Sequence, residues 1–308
     1  MSMYLVIGAG AIGGRVAHSL ASQNHQVVVV SRRGRAVSAA TSVAVDAADE
    51  IALSRLAQGA TAIFNCANPA YHRWPTDWPP IAASGMAAAE SSDATLVTLS
   101  NLYAYGHVDA PMTPHTPLGA DYAKAQVRAR MWTDALAAHQ AGRLRACEVR
   151  ASDFIGPGSQ GVFGVRVIPR LLAGKSARVL GSLDQPHSWT YVEDVATTLV
   201  ECARRPEAWG RVWHVATNAP RTQRQILDDL CDAAGVDRVR SNTAPPVLIR
   251  LLGLFSPTVR ELPHTLYQFT APFIIDDSAT RAELQLAPTP WGEVLRETIN
   301  EYRQPPAS

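Results

Sequence analysis

Residues 4–14 limit what this chain can fold into more than any other stretch. Four apolar residues, Tyr4-Leu5-Val6-Ile7, run directly into Gly8-Ala9-Gly10-Ala11-Ile12-Gly13-Gly14. The apolar run suits a strand buried on both faces of a parallel sheet. Glycines 8, 10 and 13 then fall as G-x-G-x-x-G. The first permits a tight turn, the second lets a pyrophosphate approach the backbone, and the third lets a helix pack on the strand. Ile12, Val16 and Leu20 follow at i, i+4 and i+8, the apolar stripe of that helix. Its free N–H groups and dipole suit a diphosphate, held by Gly8, Gly10, Ala11, Ile12 and Gly13. Strand, turn and helix occur in the right order, and a second strand at residues 26–30 follows the turn-like Asn24-His25. The stretch therefore reads as a dinucleotide site rather than an ordinary glycine turn.

The end of the second strand discriminates between cofactors. A carboxylate about 20 residues on accepts from the ribose 2′-hydroxyl of NAD, whereas a cation suits the 2′-phosphate of NADP. This chain reads Ser31-Arg32-Arg33-Gly34-Arg35, with no carboxylate. Arginine grips a phosphate with a planar fork and can stack on adenine. The expectation is NADP(H) ahead of NAD(H), with Ser31, Arg32 and Arg33 at the phosphate; the competing reading is a solvated basic turn.

Composition narrows the class. At 308 residues the chain can bury a large core, in one big or two closely joined domains. A net charge of +1 implies neither a nucleic-acid nor a membrane-surface partner. Apolar stretches fall short of a bilayer span, and no charged-then-apolar leader precedes the first strand. Cys66, Cys147, Cys202 and Cys231 are scattered without metal or redox spacing, as in a reduced cytoplasmic protein. The nine histidines show no ligand clustering, so no metal is expected. Neither a phosphate-loop lysine motif nor a G-x-S-x-G elbow occurs, which argues against an NTPase or a serine hydrolase.

Strands are expected at residues 42–45, 62–67, 95–99 and 145–150, with helices at 50–57, 81–90 and about 121–140 between them. This alternation means an α/β fold, a doubly wound parallel sheet of Rossmann type. Asp46, after the third strand, could accept from an adenine amino group or be an exposed loop residue, and Asp194, just before Val195, reads as a helix cap. The segment 68–80 reads as a loop carrying Asn68, Tyr71, His72, Trp74 and Trp78 at the carboxyl end of a strand, where such sheets bind ligands.

Several motifs together resemble the extended short-chain dehydrogenase/reductase family, and more narrowly its NAD-dependent epimerase/dehydratase branch. They are the glycine start, Asn65-Cys66-Ala67, Leu99-Ser100-Asn101 before Tyr105-Gly106, Arg150 with Gly156-Pro157-Gly158, and residues 187–195, His-Ser-Trp-Thr-Tyr-Val-Glu-Asp-Val. Trp213-His214-Val215-Ala216 is similar to that family's late strand, and Asp277-Ser278-Ala279-Thr280-Arg281 to its helix before the final turn. The resemblance implies an oxidoreductase or epimerase with a dinucleotide-binding domain over residues 1–151, rejoined by 187–218. Residues 152–186 and 219–308 form a smaller substrate lobe. It places Cys66, Ala67 and Ser100 at the cofactor, and Asn68, Tyr71, Trp74, Tyr103, Asp153, Phe154, Arg166, His187 and Trp189 near a small-molecule substrate. Helices 81–90 and 122–140 resemble those that pair in family homodimers.

The catalytic pattern is broken. The family uses a Tyr hydroxyl as acid or base, a Lys four residues later that lowers its pKa, and a Ser or Thr that orients the carbonyl. An unperturbed phenol near pKa 10 needs such a cation at neutral pH. Asn101 stands at the hydroxyl position; it can donate to a carbonyl but cannot relay a proton in the same way. Tyr122 is followed four residues later by Gln126, and Lys124 is preceded at that distance by Ala120. Helix phase puts Lys124 and Arg128 inside the apolar arc with Val127, Met131 and Ala135, and Gln126 outside it. Lys124 is therefore matched to the family lysine on the nicotinamide ribose, which leaves Ala120 where the phenol should be. Three readings stay open: Tyr122 supplies the phenol from a shifted backbone; Tyr103, Tyr71, His72, substrate or water supplies the proton; or the protein binds NADP without turnover, as a sensor. The resulting expectation is hydride transfer to or from a carbonyl or imine of a small polar or sugar-like molecule, with an epimerase or dehydratase as the alternative.

Overall fold

The computed structural model describes residues 1–303 except 160, 162, 246, 248–250 and 252–253. Seven strands form one parallel sheet: β1 (Met3–Ile7), β2 (Gln26–Ser31), β3 (Thr41–Ala44), β4 (Ala60–Asn65), β5 (Thr95–Ser100), β6 (Arg145–Arg150) and β10 (Val212–His214). Their spatial order is β10-β6-β5-β4-β1-β2-β3, so the chain winds outward from β1 in one direction and from β4 in the other. This is the expected doubly wound Rossmann sheet.

Both faces of the sheet are buried, which explains the continuous apolar strands. Tyr4, Val6, Val27 and Val29 point to one face, packed with Ile12, Val16 and Leu20 of α1 (Ala11–Ser22) and Val195 and Leu199 of α6 (Val192–Arg204). Leu5, Ile7, Val28 and Val30 point to the other. There they meet Leu53 of α2 (Glu50–Leu56), Ala88 and Ala89 of α3 (Trp74–Ser92), and Ala135 and Ala138 of α4 (Ala123–Gln140). The small alanines let those helices lie close on the strands.

After β6 the chain leaves the sheet through β7 (Asp153–Ile155) and α5 (Gly164–Leu172), and returns through β8 (Ala177–Val179) and β9 (Trp189–Tyr191). Strand β7 pairs in parallel with β9, Asp153 opposite Trp189. Strand β8 pairs with β11 (Ser241–Thr243), beyond α7 (Gln223–Ala234). The last helix, Trp291–Arg303, is tied to α7 by the Trp291 indole, which donates to Asp229 at 2.8 Å.

Two local expectations are corrected. The aromatic stretch before residue 81 is not a loop throughout: α3 already begins at Trp74, with a proline in its first turn. Proline is tolerated there because that N–H has no intrahelical partner. Trp74 and Trp78 are buried with Val127 and Met131 of α4. Asp194 does not cap a helix before Val195. It sits in the first turn of α6 and accepts from the N–H and hydroxyl of Thr289, at 3.0 and 2.7 Å.

Candidate functional site

With all main-sheet strands parallel, their carboxyl ends share one edge, and the winding reverses between β1 and β4. Ligands of open α/β sheets bind in that crevice. The turn after β1 lies in it. Gly8 has φ +106°, and a Cβ there would come 2.6 Å from the Cys66 carbonyl oxygen at the end of β4. Gly13 lies under the same turn, where a Cβ would meet the Gly8 carbonyl oxygen at 1.9 Å. Gly10 differs: a Cβ would meet nothing within 4 Å. It caps α1, whose N-terminus carries no side-chain cap. The first helical N–H groups, from Ala11, Ile12 and Gly13, are therefore left without a side-chain cap, a cradle that fits a diphosphate. Arg15 holds the far side, donating to the carbonyls of Ala11 and Pro157 at 2.9 and 2.7 Å and pairing with Glu193.

One strand away, Ser31 organises the basic turn. Its hydroxyl accepts from the Arg35 N–H at 2.9 Å, and its carbonyl accepts from Gly34 and Val45. Arg32 and Arg33 are exposed there, and neither makes an ion pair among the described residues. Asp46 is also exposed, with its carboxylate accepting from its own loop at Ala48 N–H. Cys66 and Ser100 are buried at the ends of β4 and β5, and burial pushes the Cys66 thiol up to about 12. Ala67 N–H donates to the Asn65 side chain, which shapes the β4 turn.

The other end of the crevice is aromatic. The Tyr71 hydroxyl is hydrogen-bonded at 3.3 Å to both the Tyr103 hydroxyl and Thr265 Oγ1. Lys124 projects inward from the first turn of α4, 2 % exposed, with Nζ 4.4 Å above the Tyr71 ring and ion-paired to Glu261. Arg128, one turn on, is also buried; it donates to the Leu99 carbonyl at 2.7 Å and lies over the Trp78 ring. Burial lowers its pKa to about 10, so it stays charged at neutral pH. Gln126 is exposed. The inward arc anticipated for α4 is thus the observed one.

Tyr122 lies among other aromatic side chains. It stands just before α4, hydrogen-bonded to the Tyr267 hydroxyl at 3.3 Å and stacked on His264. Burial, ahead of the neighbouring phenols, drives its pKa far up. No hydrogen bond joins it to Lys124 among the described residues. Burial likewise raises Tyr71 and Tyr103, and Tyr267 to about 12. None of these phenols has the cation at its hydroxyl that the family pattern requires.

Asn101 follows β5 with its side-chain oxygen accepting from the Tyr103 N–H at 3.2 Å, which leaves its amide N–H groups to donate. Asn68 and His72 are exposed, and Arg166 is exposed on α5. Phe154 packs against the core. Trp74 lies behind Tyr71 and Tyr103, its indole donating to the Pro69 carbonyl. Trp189 is buried and donates to the Arg221 carbonyl. Asp153 and the buried His187 meet at 2.9 Å. Glu261, His264, Thr265 and Tyr267 were not anticipated as site residues; they come from a late segment with no motif, and chain folding alone brings them over Tyr71 and Lys124. Among the described residues no group of His, Cys, Asp and Glu could hold a metal, and no helix is long and apolar enough to cross a membrane.

Sheet order, glycine turn and crevice define a Rossmann-type nucleotide-binding protein. Residues 4–216 match the model of the NAD dependent epimerase/dehydratase family, and the chain belongs to that family of enzymes. Solved structures agree in fold. A UDP-glucose 4-epimerase with UDP-glucose from Thermotoga maritima is similar at 18 % identity and TM-score 0.80, covering 98 % of each chain. A UDP-N-acetylglucosamine 4-epimerase from Methanobrevibacter ruminantium, in complex with UDP-N-acetylmuramic acid, is 16 % identical with TM-score 0.81, again over 98 % of both. A dTDP-glucose 4,6-dehydratase from Bacillus anthracis in complex with NAD is 16 % identical, TM-score 0.80, over 98 % of this chain and 97 % of that one. Comparison with curated proteins finds no match.

Proposed function

We propose that this chain is an NADP(H)-dependent oxidoreductase that transfers a hydride to or from a carbonyl or imine of a small polar or sugar-like substrate. The observation that carries the cofactor choice is Arg32 and Arg33, exposed and without an ion pair among the described residues, on a hydrogen-bonded turn at the end of β2 beside the glycine cradle. In this reading residues 1–151 and 187–218 bind the dinucleotide, and 152–186 and 219–308 form the substrate lobe. The cradle binds the diphosphate through backbone N–H groups, and the two guanidinium groups grip the 2′-phosphate. Lys124 holds the nicotinamide ribose once its ammonium is shared with, or released from, Glu261. Asn101 donates to the reacting oxygen. The bound nicotinamide supplies or accepts the hydride. Aromatic rings from Tyr71, Tyr103, Tyr122 and Tyr267 keep water from the reacting end.

A second reading, an epimerase or dehydratase that recycles its nicotinamide, is favoured by the family and by the NAD in the Bacillus anthracis neighbour. Titration with NADPH and NADH, by quenching of protein fluorescence, tests the cofactor. Arg32→Ala should weaken NADPH by roughly 10- to 100-fold, the worth of one charge-assisted contact, and leave NADH unchanged. Tighter NADH binding by the parent, or an Arg32→Ala variant with parental NADPH affinity, overturns the choice. Net loss of NADPH absorbance against a panel of carbonyl compounds separates the oxidoreductase from the recycling enzyme, which consumes none.

A further inference from the structure

The site as built has a hydride partner's cradle and a carbonyl-orienting amide but no usable phenol. The late segment that covers Tyr71 also holds a different proton-handling group. His187, 1 % exposed, packs its ring against three aromatic rings: Phe269, stacked at 5.1 Å, Trp189 at 4.4 Å and Phe273 at 5.1 Å. Its Nδ1 lies 3.0 Å from the Gln268 carbonyl oxygen, which can accept and never donate. Nδ1 therefore carries a hydrogen. Its Nε2 lies 2.9 Å from Asp153 Oδ2. A bare Nε2 lone pair facing a carboxylate lone pair would repel, so that contact also needs a proton. The Ser152 hydroxyl is a longer neighbour of Nε2, at 3.4 Å. Both ring nitrogens thus face acceptors, and aromatic faces around the ring suit a cation.

Asp153 is the first residue of β7, directly beyond the end of β6. Its side chain is 24 % exposed, and its second oxygen, Oδ1, has no hydrogen bond among the described residues. The late segment that sets the Gln268 carbonyl on His187 also sets Thr265 on the Tyr71 hydroxyl and Tyr267 on Tyr122, which brings the Asp153–His187 pair to the cleft that Lys124 enters. The groups facing the pair are few. Gln268, Phe269 and Phe273 from the late segment, Trp189 from β9 and Ser152 surround His187, and the paired Lys124 and Glu261 lie across the Tyr71 ring.

We propose that Asp153 is the catalytic acid–base group of this enzyme and that His187, as an imidazolium, is its positioning residue. The inference rests on the oxidoreductase reading above. In the oxidative direction Oδ1 takes the proton of the substrate hydroxyl. The O–H bond breaks, the oxygen's electron pair forms the C=O double bond, and the C–H pair departs as hydride to the oxidised nicotinamide. The proton then passes from the partly exposed Oδ1 to solvent. In the reductive direction Oδ1 takes a proton from solvent before turnover, the carbonyl carbon gains the hydride and its oxygen takes that proton from Oδ1. Throughout, His187 Nε2–H stays on Oδ2 and fixes the carboxyl plane.

Two measurements test this on the full-length protein. In ¹⁵N-edited NMR of the histidine side chains, assigned by loss of signal in His187→Gln, both ring nitrogens of His187 should be protonated at pH 7; a neutral single tautomer overturns the inference. Asp153→Asn keeps shape and neighbours but cannot take the proton. It should bind NADPH like the parent and lower turnover on a carbonyl reduced by the parent by roughly 100-fold or more, the usual worth of a general acid. His187→Gln should lower turnover less and move the pH–rate profile, which loss of packing alone would not do. Parental turnover by Asp153→Asn overturns this inference alone, whereas a parent that oxidises no NADPH with any carbonyl overturns the oxidoreductase reading beneath it.

Discussion

Three neighbouring glycines at the start of α1 should respond to alanine in three different ways. Gly13→Ala puts a Cβ 1.9 Å from the Gly8 carbonyl oxygen, about 1.5 Å short of ordinary contact. The obstacle is backbone at the end of a fully buried strand, so α1 must retreat and loosen Ile12, Val16 and Leu20 from the sheet. Overpacking of this kind costs about 3 kcal/mol, the upper end of its usual range. For a chain of this length, 1 kcal/mol corresponds to roughly 1.5 °C of melting temperature, so the loss should be about 5 °C. Gly14→Ala meets nothing within 4 Å and lies inside the helix, so it should raise stability by up to about 1 kcal/mol. Gly10→Ala likewise meets nothing, and its φ of −83° suits alanine, so its melting should match the parent. The new methyl instead occupies the diphosphate's approach and should weaken NADPH by roughly 10- to 100-fold. Differential scanning fluorimetry, with and without NADPH, reads all three. A Gly13→Ala variant that melts with the parent, or a Gly10→Ala variant that binds NADPH like it, refutes the division of labour.

Other expectations follow from buried charge. His214 is fully buried between the Tyr105 hydroxyl and the Asp276 carbonyl, and burial lowers its pKa to about 4. The unfolded chain takes up that proton near pH 6.5 while the folded chain resists it. Stability is therefore whole above pH 6.5 and falls by about 3 kcal/mol as pH drops to about 4; in urea titrations at several pH values, His214→Gln should lose that part of the slope. Glu261→Gln strips the buried Lys124 of its counter-charge. It should cost about 1–3 kcal/mol, less than a fully buried pair because Glu261 is partly exposed, and Lys124→Met added to it should recover most of the loss. All four cysteines are buried, and burial raises the thiols of Cys66, Cys202 and Cys231. A thiol reagent should label none of them until the protein is denatured.

The glycine turn, the alternation of strands and helices, and the inward arc of α4 were legible because each depends on residues near in sequence. Periodicity placed Lys124 and Arg128 inside before any coordinates did, since a helix repeats every 3.6 residues whatever surrounds it. The start of α3 was not legible. Pro75, Pro79 and Pro80 are poor helix formers, yet burial of Trp74 and Trp78 against Val127 and Met131 outweighs local propensity. Asp194 looked like a cap because capping is a local rule, while its partner, Thr289, lies far along the chain.

Sequence alone determined the class of protein: a glycine turn of dinucleotide-binding type, a basic turn beside it, and a helix bearing two interior cations. It also revealed that the expected phenol was missing. Tertiary structure decided what surrounds that gap. Glu261 against Lys124, Thr265 against Tyr71, and Gln268 and Asp153 on either side of His187 are pairings between distant segments. Pairings of that kind depend on where the late chain crosses the sheet edge. No local propensity encodes that crossing, because packing of the whole core sets it.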